Sequence, residues 1–265
     1  MKKLTSPPIA QGRTAEIYFW DDGHVLKLYR DWCPPDWVEY EATVAGAIHA
    51  AGIPSPETGE ILEVNGRRGL VYERLEGSSM LQDMNARPWK LIDHARCLAD
   101  LQVQINQKSI PGLPSYKDRL RFDIDRSAHL SPALQEEALA ALDTLPDAEN
   151  VCHGDFHPGN VILTDAGPIV IDWMTACSGS RWTDVARTRL LLSIGPTGAG
   201  KMVSPIIRMA ITLYRWIYLH RYHALVSDPN NEVDRWAPVV AAARLKEDIS
   251  LERDVLIEMV KAGLK

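Results

Sequence analysis

Cysteine is scarce in this sequence, and its spacing is not that of a functional motif. Only four cysteines occur in 265 residues, and no two of them form a Cys-x-x-Cys pair. Redox pairs and zinc sites typically need that spacing. We therefore expect Cys33, Cys97, Cys152 and Cys177 to be reduced and buried.

Long apolar runs are also missing. The most apolar late stretch, residues 202–225, is interrupted by Arg208, Arg215 and Arg221, and so many charges do not suit a membrane span. Residues 4–13 contain two prolines and no apolar run, which argues against a signal peptide. The sequence therefore predicts a cytoplasmic protein with no membrane partner.

Positive charge is in the minority. The chain has 29 Lys and Arg residues against 35 Asp and Glu residues, which gives a formal net charge of −6. This balance argues against nucleic acid as a partner and suits a cationic small molecule.

One short segment concentrates chemically active side chains. Residues 153–160 are His-Gly-Asp-Phe-His-Pro-Gly-Asn, and an Asn five residues after an Asp is the spacing of a kinase catalytic loop. In such a loop the Asp accepts the proton of the attacking hydroxyl and the Asn holds Mg²⁺. The segment predicts Asp155 as the catalytic base and Asn160 as a metal ligand.

A second carboxylate follows a pattern that is typical of a β-hairpin. The apolar runs 161–163 and 169–171 flank turn-forming residues at 164–168, which is typical of a β-hairpin. Folding back would bring Asn160 and Asp172 together at adjacent strand ends. Mg²⁺ commonly takes one or two protein oxygen ligands besides phosphate and water, so Asp172 is the second predicted ligand.

Other interpretations of this segment stay open. His153, Asp155 and His157 place three donors within five residues, which would also suit a transition metal in a hydrolase. A purely structural turn with glycine and proline punctuation is a further alternative. Both leave Asn160 and Asp172 unexplained. A further alternative is a nucleotide-binding pseudokinase that acts as a regulator. The presence of every residue type that catalysis needs argues against it.

The N-terminal region supplies a lysine suited to phosphate binding. Residues 17–29 form a second hairpin pattern around a turn at 21–23, and strand alternation places Val25 and Lys27 on one face. A helix is predicted over 37–51, with Glu39 and Glu41 near its start. We choose Glu41 as the partner of Lys27.

Together these motifs resemble the aminoglycoside phosphotransferase and choline-kinase-like family of small-molecule kinases. The resemblance extends from Gln11 to about Leu192 and is most specific at 153–160 and 171–173. It implies that Asp155 is the base, that Asn160 and Asp172 bind Mg²⁺, and that Lys27 and Glu41 form the phosphate clamp. It also implies that Asp184 braces the catalytic loop through backbone contacts.

The nucleotide site follows from the same resemblance. ATP is the expected phosphoryl donor, with GTP as an alternative. Gly12 and Thr14 would contact phosphate, the backbone near Glu73 and Leu75 would bind the base, and the apolar walls would be Ile17 and Val25.

The resemblance implies an α+β, two-lobed protein-kinase-like fold. A small antiparallel-sheet lobe over 1–76 would bind nucleotide, and a larger, mostly helical lobe over 77–265 would bind the acceptor. Two departures stand out: Leu101-Gln102 replaces a Leu-His pair, and Asp184 follows Asp172 by only twelve positions. The short interval leaves little room for a protein kinase's activation segment, so a small hydroxylated acceptor is favoured.

A late acidic segment is the candidate acceptor site. Residues 227–236 are turn-rich and end in an aromatic residue, and carboxylates with an aromatic face suit a cationic acceptor. The alternative is a solvated helix connection. The candidate acceptor residues are Asp228, Glu232, Asp234 and Trp236. The sequence specifies neither the acceptor nor the oligomeric state.

Overall fold

The computed structural model describes residues 7–194, 204–228 and 230–264. The chain divides into two compact units, the first formed by the described part of Met1–Met80 with Gly159–Met174 and the second by Leu81–Pro158 with the described part of Thr175–Lys265. The first stretch ends four residues beyond the boundary expected after residue 76. The first unit also takes in a later segment, because a strand of that segment pairs with one that ends just before Met80.

The elements of the described residues follow in chain order. The strands are β1 Ala10–Gln11, β2 Ala15–Asp21, β3 His24–Tyr29, β4 Thr58–Val64, β5 Arg67–Glu73, β6 Ser78–Ser79, β7 Asn150–Cys152, β8 Val161–Thr164, β9 Gly167–Val170 and β10 Cys177–Gly179. The α-helices are α1 Trp37–Ala50, α2 Met80–Ala86, α3 Leu91–Asn106, α4 Tyr116–Asp125, α5 Pro132–Thr144, α6 Arg181–Ile194, α7 Pro205–Leu225, α8 Glu232–Arg244 and α9 Arg253–Gly263.

The main sheet of the first unit is antiparallel, with strand order β1-β2-β3-β5-β4. Its strands alternate as the sequence predicts, because successive side chains of a strand point to opposite faces. Leu26 and Leu28 pack in one apolar cluster with Val71. Tyr29 packs on the other face in a second cluster that includes Val38 of α1. One face of the sheet is thus covered by α1.

A small sheet, ordered β6-β8-β9, completes the first unit. The predicted hairpin is confirmed, since Val161 pairs with Val170 and Thr164 with Gly167. This register places the residues just before β8 beside those just after β9.

The second unit is mostly helical. In it α3 packs along α7 and α6 along α8, while β7 and β10 form a short antiparallel pair. Helix α5 begins after Ser131, whose hydroxyl accepts a hydrogen bond from the Leu134 amide at 3.3 Å and so satisfies a donor that the first helical turn leaves unpaired. Within the described ranges, no helix is long and apolar enough to cross a membrane. An antiparallel sheet followed by a helical part confirms the predicted α+β class.

Candidate active site

In the first unit, Lys27 on β3 joins two carboxylates. Its Nζ lies 2.7 Å from Glu41 Oε1 and 2.8 Å from Asp172 Oδ1. Burial alone would lower the pKa of Lys27, but the negative charges of Asp172 and Glu41 raise it above its ordinary value. The lysine is therefore a fixed positive charge, which is what a phosphate clamp requires.

The structure distinguishes Glu41 from its neighbour Glu39. Glu41 is completely buried, and its Oε1 also accepts a hydrogen bond of 2.8 Å from the Tyr72 hydroxyl. Glu39 instead pairs with Arg68. The sequence analysis did not identify Tyr72. Tyr72 lies directly opposite Val25 in the sheet, so strand alternation places it on the face that carries Lys27.

Asn160 and Asp172 come together as the hairpin predicts. The Ile171 amide donates a 2.9 Å hydrogen bond to the Asn160 carbonyl oxygen, so the two predicted metal ligands stand at neighbouring strand ends. Asp172 has a φ of 66°, in the left-handed region that few residues other than glycine adopt. Its side chain is 48% exposed, so the carboxylate can meet a ligand from solvent.

The remaining predicted nucleotide contacts also lie in the first unit. Ile17 pairs with Lys27 across β2 and β3, so Ile17, Val25 and Lys27 share a face of the sheet. Gly12 lies in the turn between β1 and β2, where its amide donates to the Ala15 carbonyl oxygen at 2.8 Å. The Thr14 residue is half-buried in the same turn, Glu73 is the last residue of β5, and Leu75 lies in the irregular segment that follows.

In the second unit, the segment that carries Asp155 is held by its backbone. The Gly154 amide donates a 2.8 Å hydrogen bond to Asp184 Oδ1, and the Thr175 hydroxyl donates one of 2.8 Å to the His153 carbonyl oxygen. Gly154 has a φ of 78°, and a Cβ there would lie 2.5 Å from the Thr175 carbonyl oxygen. Only glycine fits this turn, which sets the position of Asp155.

Asp155 lies beside three basic side chains. Its Oδ2 is 3.7 Å from His157 Nε2, and its Oδ1 is 4.0 Å from Arg187 Nη2. Burial alone would raise the pKa of Asp155, but His157, Arg187 and His153 together lower it well below its usual range. The carboxylate is therefore ionised at neutral pH and accepts hydrogen bonds only.

Asp184 belongs to a buried polar network on α3 and α6. Its Oδ2 accepts hydrogen bonds from the Gln102 side-chain amide at 2.9 Å and from the Asn106 amide at 3.2 Å. Gln102 in turn accepts one from the Tyr218 hydroxyl. Gln102, the residue that departs from the family pattern, thus hydrogen-bonds one oxygen of Asp184, while the other oxygen accepts the bond from the Gly154 amide.

The alternative metal site over residues 153–157 gains no support from the described residues. There, no group of three or more His, Cys, Asp or Glu side chains is arranged to hold a metal ion. His153 is fully buried, and its Nδ1 lies 3.2 Å from the Asp155 amide as a hydrogen-bond acceptor. His153 thus serves the turn that carries Asp155.

The predicted acceptor segment, residues 227–236, was expected to be turn-rich, and this part of the prediction is wrong, because the segment is helical from Glu232 onward. Helix α8 begins at Glu232, because Asp228 accepts hydrogen bonds from the Glu232 amide at 2.7 Å and the Val233 amide at 3.4 Å. Asp234 pairs with Arg189. Trp236 is completely buried and offers no face to an acceptor. The acidic residues that suggested a binding loop instead stabilise a helix start, and we propose no acceptor role for these four residues.

This correction has a measurable consequence for Asp228. Replacing Asp228 by Ala should lower the free energy of unfolding by about 1 kcal/mol, as expected for the loss of a capping side chain. Asp228→Asn, which keeps one side-chain oxygen, should lose less. Urea denaturation of both variants measures the effect. A raised acceptor KM at unchanged stability would instead restore the predicted acceptor role.

Known proteins support the same architecture. A profile of the phosphotransferase enzyme family (APH) matches residues 5–217, well over half of the chain. No curated protein matches the chain in sequence.

Solved structures match along almost the whole chain. Aminoglycoside phosphotransferase APH(4)-Ia, in a ternary complex with ADP and hygromycin B, is 16% identical, with 97% of this chain and 90% of that chain covered and a TM-score of 0.63. An aminoglycoside-3'-phosphotransferase of type VIII is 21% identical, with 93% of each chain covered and a TM-score of 0.60. A choline/ethanolamine kinase family protein from Mesorhizobium loti is 14% identical, with 98% and 86% covered and a TM-score of 0.60. The likeness confirms the predicted kinase-like fold.

Proposed function

The chain belongs to the phosphotransferase enzyme family, and we propose that it transfers the γ-phosphoryl group of ATP to a hydroxyl of a small molecule. The observation that carries this proposal is that Lys27 Nζ donates hydrogen bonds to both Glu41 and Asp172. A strand lysine held by a helix glutamate, beside a carboxylate suited to metal binding, is the arrangement that kinases use to fix the phosphates. GTP is the alternative donor.

Asp155 is the proposed base. Its carboxylate accepts the proton of the acceptor hydroxyl while that oxygen bonds to the γ-phosphorus, and the bond from the γ-phosphorus to the bridging oxygen breaks to release ADP. Because the pKa of Asp155 is lowered, the carboxylate is ionised and orients the hydroxyl as a hydrogen-bond acceptor before transfer.

Asn160 and Asp172 fit a magnesium ion. One amide oxygen and one carboxylate at neighbouring strand ends leave the remaining positions to phosphate and water, as Mg²⁺ prefers. When bound, the ion would neutralise phosphate charge. The positive charge of Lys27 would also neutralise phosphate charge.

The nucleotide is proposed to lie on the sheet face that carries Lys27. Ile17 and Val25 share that face and would contact the base. The backbone at Glu73 and Leu75 would supply its hydrogen bonds. The turn with Gly12 and Thr14 would contact phosphate through backbone amides and the Thr14 hydroxyl.

A small acceptor is favoured over a protein. The eleven residues between Asp172 and Asp184 are occupied by a short 3-10 turn at Trp173–Thr175, by β10 and by the start of α6, with no long segment that could present a regulatory phosphosite. Some relatives of this fold are known in complexes with antibiotics, namely hygromycin B and amicoumacin. Hydroxylated antibiotics and small metabolites are therefore the first acceptors to test.

A coupled assay of ADP release tests the function. Purified protein with ATP and Mg²⁺ is screened against aminoglycosides, choline, homoserine, sugars and macrolides. We expect Mg²⁺-dependent ADP release that at least one acceptor stimulates, with a phosphorylated product seen by mass spectrometry. Tight nucleotide binding without ADP release, alone or with any acceptor, would identify a pseudokinase and overturn the proposal.

A further inference from the structure

Two hydrogen-bond donors of the first unit meet on one oxygen of Glu41. Lys27 Nζ lies 2.7 Å from Glu41 Oε1, and the Tyr72 hydroxyl donates a hydrogen bond of 2.8 Å to the same atom. The second carboxylate oxygen, Glu41 Oε2, is buried and has no hydrogen-bond partner among the described residues. The hydrogen bonds that orient this carboxylate therefore come from Lys27 and Tyr72.

Tyr72 is itself fixed where the sheet meets α1. It lies on β5, directly opposite Val25 of β3, and its ring packs against the apolar cluster that includes Val38 of α1. Val38 precedes Glu41 by three positions, so the two residues lie on the same side of the helix. Tyr72 thus joins β5 to α1 through its hydroxyl, and its packed ring determines where that hydroxyl lies.

The Tyr72 hydroxyl keeps its proton at neutral pH. Burial and the negative charge of Glu41 raise the pKa of Tyr72 well above its ordinary value. The hydroxyl is therefore a constant donor to Glu41, just as Lys27 is a constant positive charge.

The orientation of Glu41 determines where the charge of Lys27 is held. A lysine ammonium is a compact charge on a flexible stem, so its position depends on the groups that accept its hydrogen bonds. Of the two carboxylates that hold Lys27, Asp172 is 48% exposed and is the proposed metal ligand, whereas Glu41 is completely buried. Glu41 is thus the more constant anchor, and a group that orients Glu41 also positions Lys27.

We propose that Tyr72 is a positioning residue for nucleotide binding, whose hydroxyl orients Glu41 and thereby holds Lys27 in place for phosphate. This inference rests on the proposed role of Lys27 as the phosphate clamp. A site that is ordered before its ligand arrives loses less entropy on binding. Loss of the hydroxyl therefore weakens the binding of nucleotides that carry phosphates and leaves the binding of the nucleoside unchanged.

Tyr72→Phe tests the inference, because it removes the hydroxyl and keeps the packed ring. The Kd for ATP with Mg²⁺, measured by calorimetric titration, should rise about tenfold, the size expected when a hydrogen bond to a charged group is lost. The affinity for adenosine, measured by ligand-observed NMR, should stay as in the wild type. The comparison separates an effect on phosphate from a contact between Tyr72 and the base.

Tyr18→Phe is the matched control. Tyr18 lies on β2 of the same sheet, is 8% exposed, and donates a 3.1 Å hydrogen bond to Glu16 Oε2. It packs with Leu26, on the sheet face opposite to Lys27. The control therefore removes the same kind of bond away from the clamp. It should keep the wild-type Kd for ATP even if its melting temperature falls.

A double variant tests whether Tyr72 acts through Glu41. In the Glu41→Ala background, Tyr72→Phe should weaken ATP binding no further, because the hydroxyl has already lost its acceptor. If Glu41→Ala does not fold, the comparison of Tyr72→Phe with Tyr18→Phe still decides the matter. The inference is overturned by an unchanged Kd for ATP in Tyr72→Phe, by an equal loss of adenosine affinity, or by a further loss in the double variant.

Failure of the proposed function would look different. A wild type that binds ATP more tightly than adenosine but transfers no phosphoryl group would remove the kinase activity, while the Kd values of the variants would still test the role of Tyr72. A wild type that phosphorylates an acceptor, with Tyr72→Phe binding ATP equally well, would leave the function standing and overturn the inference. ATP bound no more tightly than adenosine would also overturn it, because Lys27 would then hold no phosphate.

Discussion

Replacement of Asp155 by Asn is expected to lower kcat by about 10²-fold or more, because a positioned general base contributes on the order of 10²–10⁴. Nucleotide binding should survive, since Lys27, Glu41 and Asp172 are untouched. Coupled ADP release gives kcat, and calorimetric titration with Mg²⁺ and ATP gives the affinity.

Folding should also survive this substitution. Arg187 keeps its 2.6 Å bond to Glu247, so the loss of one carboxylate does not leave the guanidinium unpaired. The lowered pKa of Asp155 means that its charge stabilises the folded state above its ordinary pKa and that this contribution is lost as the pH falls through the lowered value. Wild type and variant should therefore converge in stability only in strong acid. Near wild-type turnover in Asp155→Asn would remove Asp155 from the mechanism.

Replacement of Asp172 by Ala should weaken Mg²⁺-dependent ATP binding by more than about 100-fold, because even the outer partners of metal ligands typically contribute 10–100-fold. The loss should exceed that of Asn160→Ala, since an amide brings no formal charge to the ion. Lys27 stays anchored in the variant by its 2.7 Å bond to Glu41.

The metal dependence of nucleotide binding separates the proposed role of Asp172 as a metal ligand from its ion pair with Lys27. Titrations with ATP are made with Mg²⁺ and with EDTA, in the wild type and both variants. We expect the benefit of Mg²⁺ to vanish in Asp172→Ala and to shrink in Asn160→Ala. Equal affinities in all three proteins with Mg²⁺ would show that neither side chain holds the ion.

Much of the candidate site could be predicted because its residues are linked by local patterns. Strand alternation placed Val25 and Lys27 on one face, and turn residues between two apolar runs predicted the hairpin that joins Asn160 to Asp172. These features depend on neighbours in the chain, which a sequence displays. The structure confirms their placement, while their roles in catalysis stay predictions.

The features that the sequence did not predict depend on contacts between distant segments. Glu247 meets Arg187 across sixty residues of sequence, and no spacing rule connects them. Asp228 resembled a ligand because acidic residues serve equally well in binding sites and at helix starts. Its hydrogen bonds to the α8 backbone decide between the two. Tyr72 was overlooked because its hydroxyl partner lies on a helix and not on the strand beside it.

The left-handed backbone at Asp172 has a consequence for protein engineering. A residue with a side chain costs about 1 kcal/mol in this conformation, and glycine avoids that cost. Asp172→Gly would therefore relieve backbone strain, but it would also remove one of the two carboxylates that hold the buried Lys27 and discard the carboxylate proposed to hold the metal. Laboratory evolution of a more robust form of this protein should select for turnover at every round, since a screen for melting temperature alone does not detect the loss of a metal ligand.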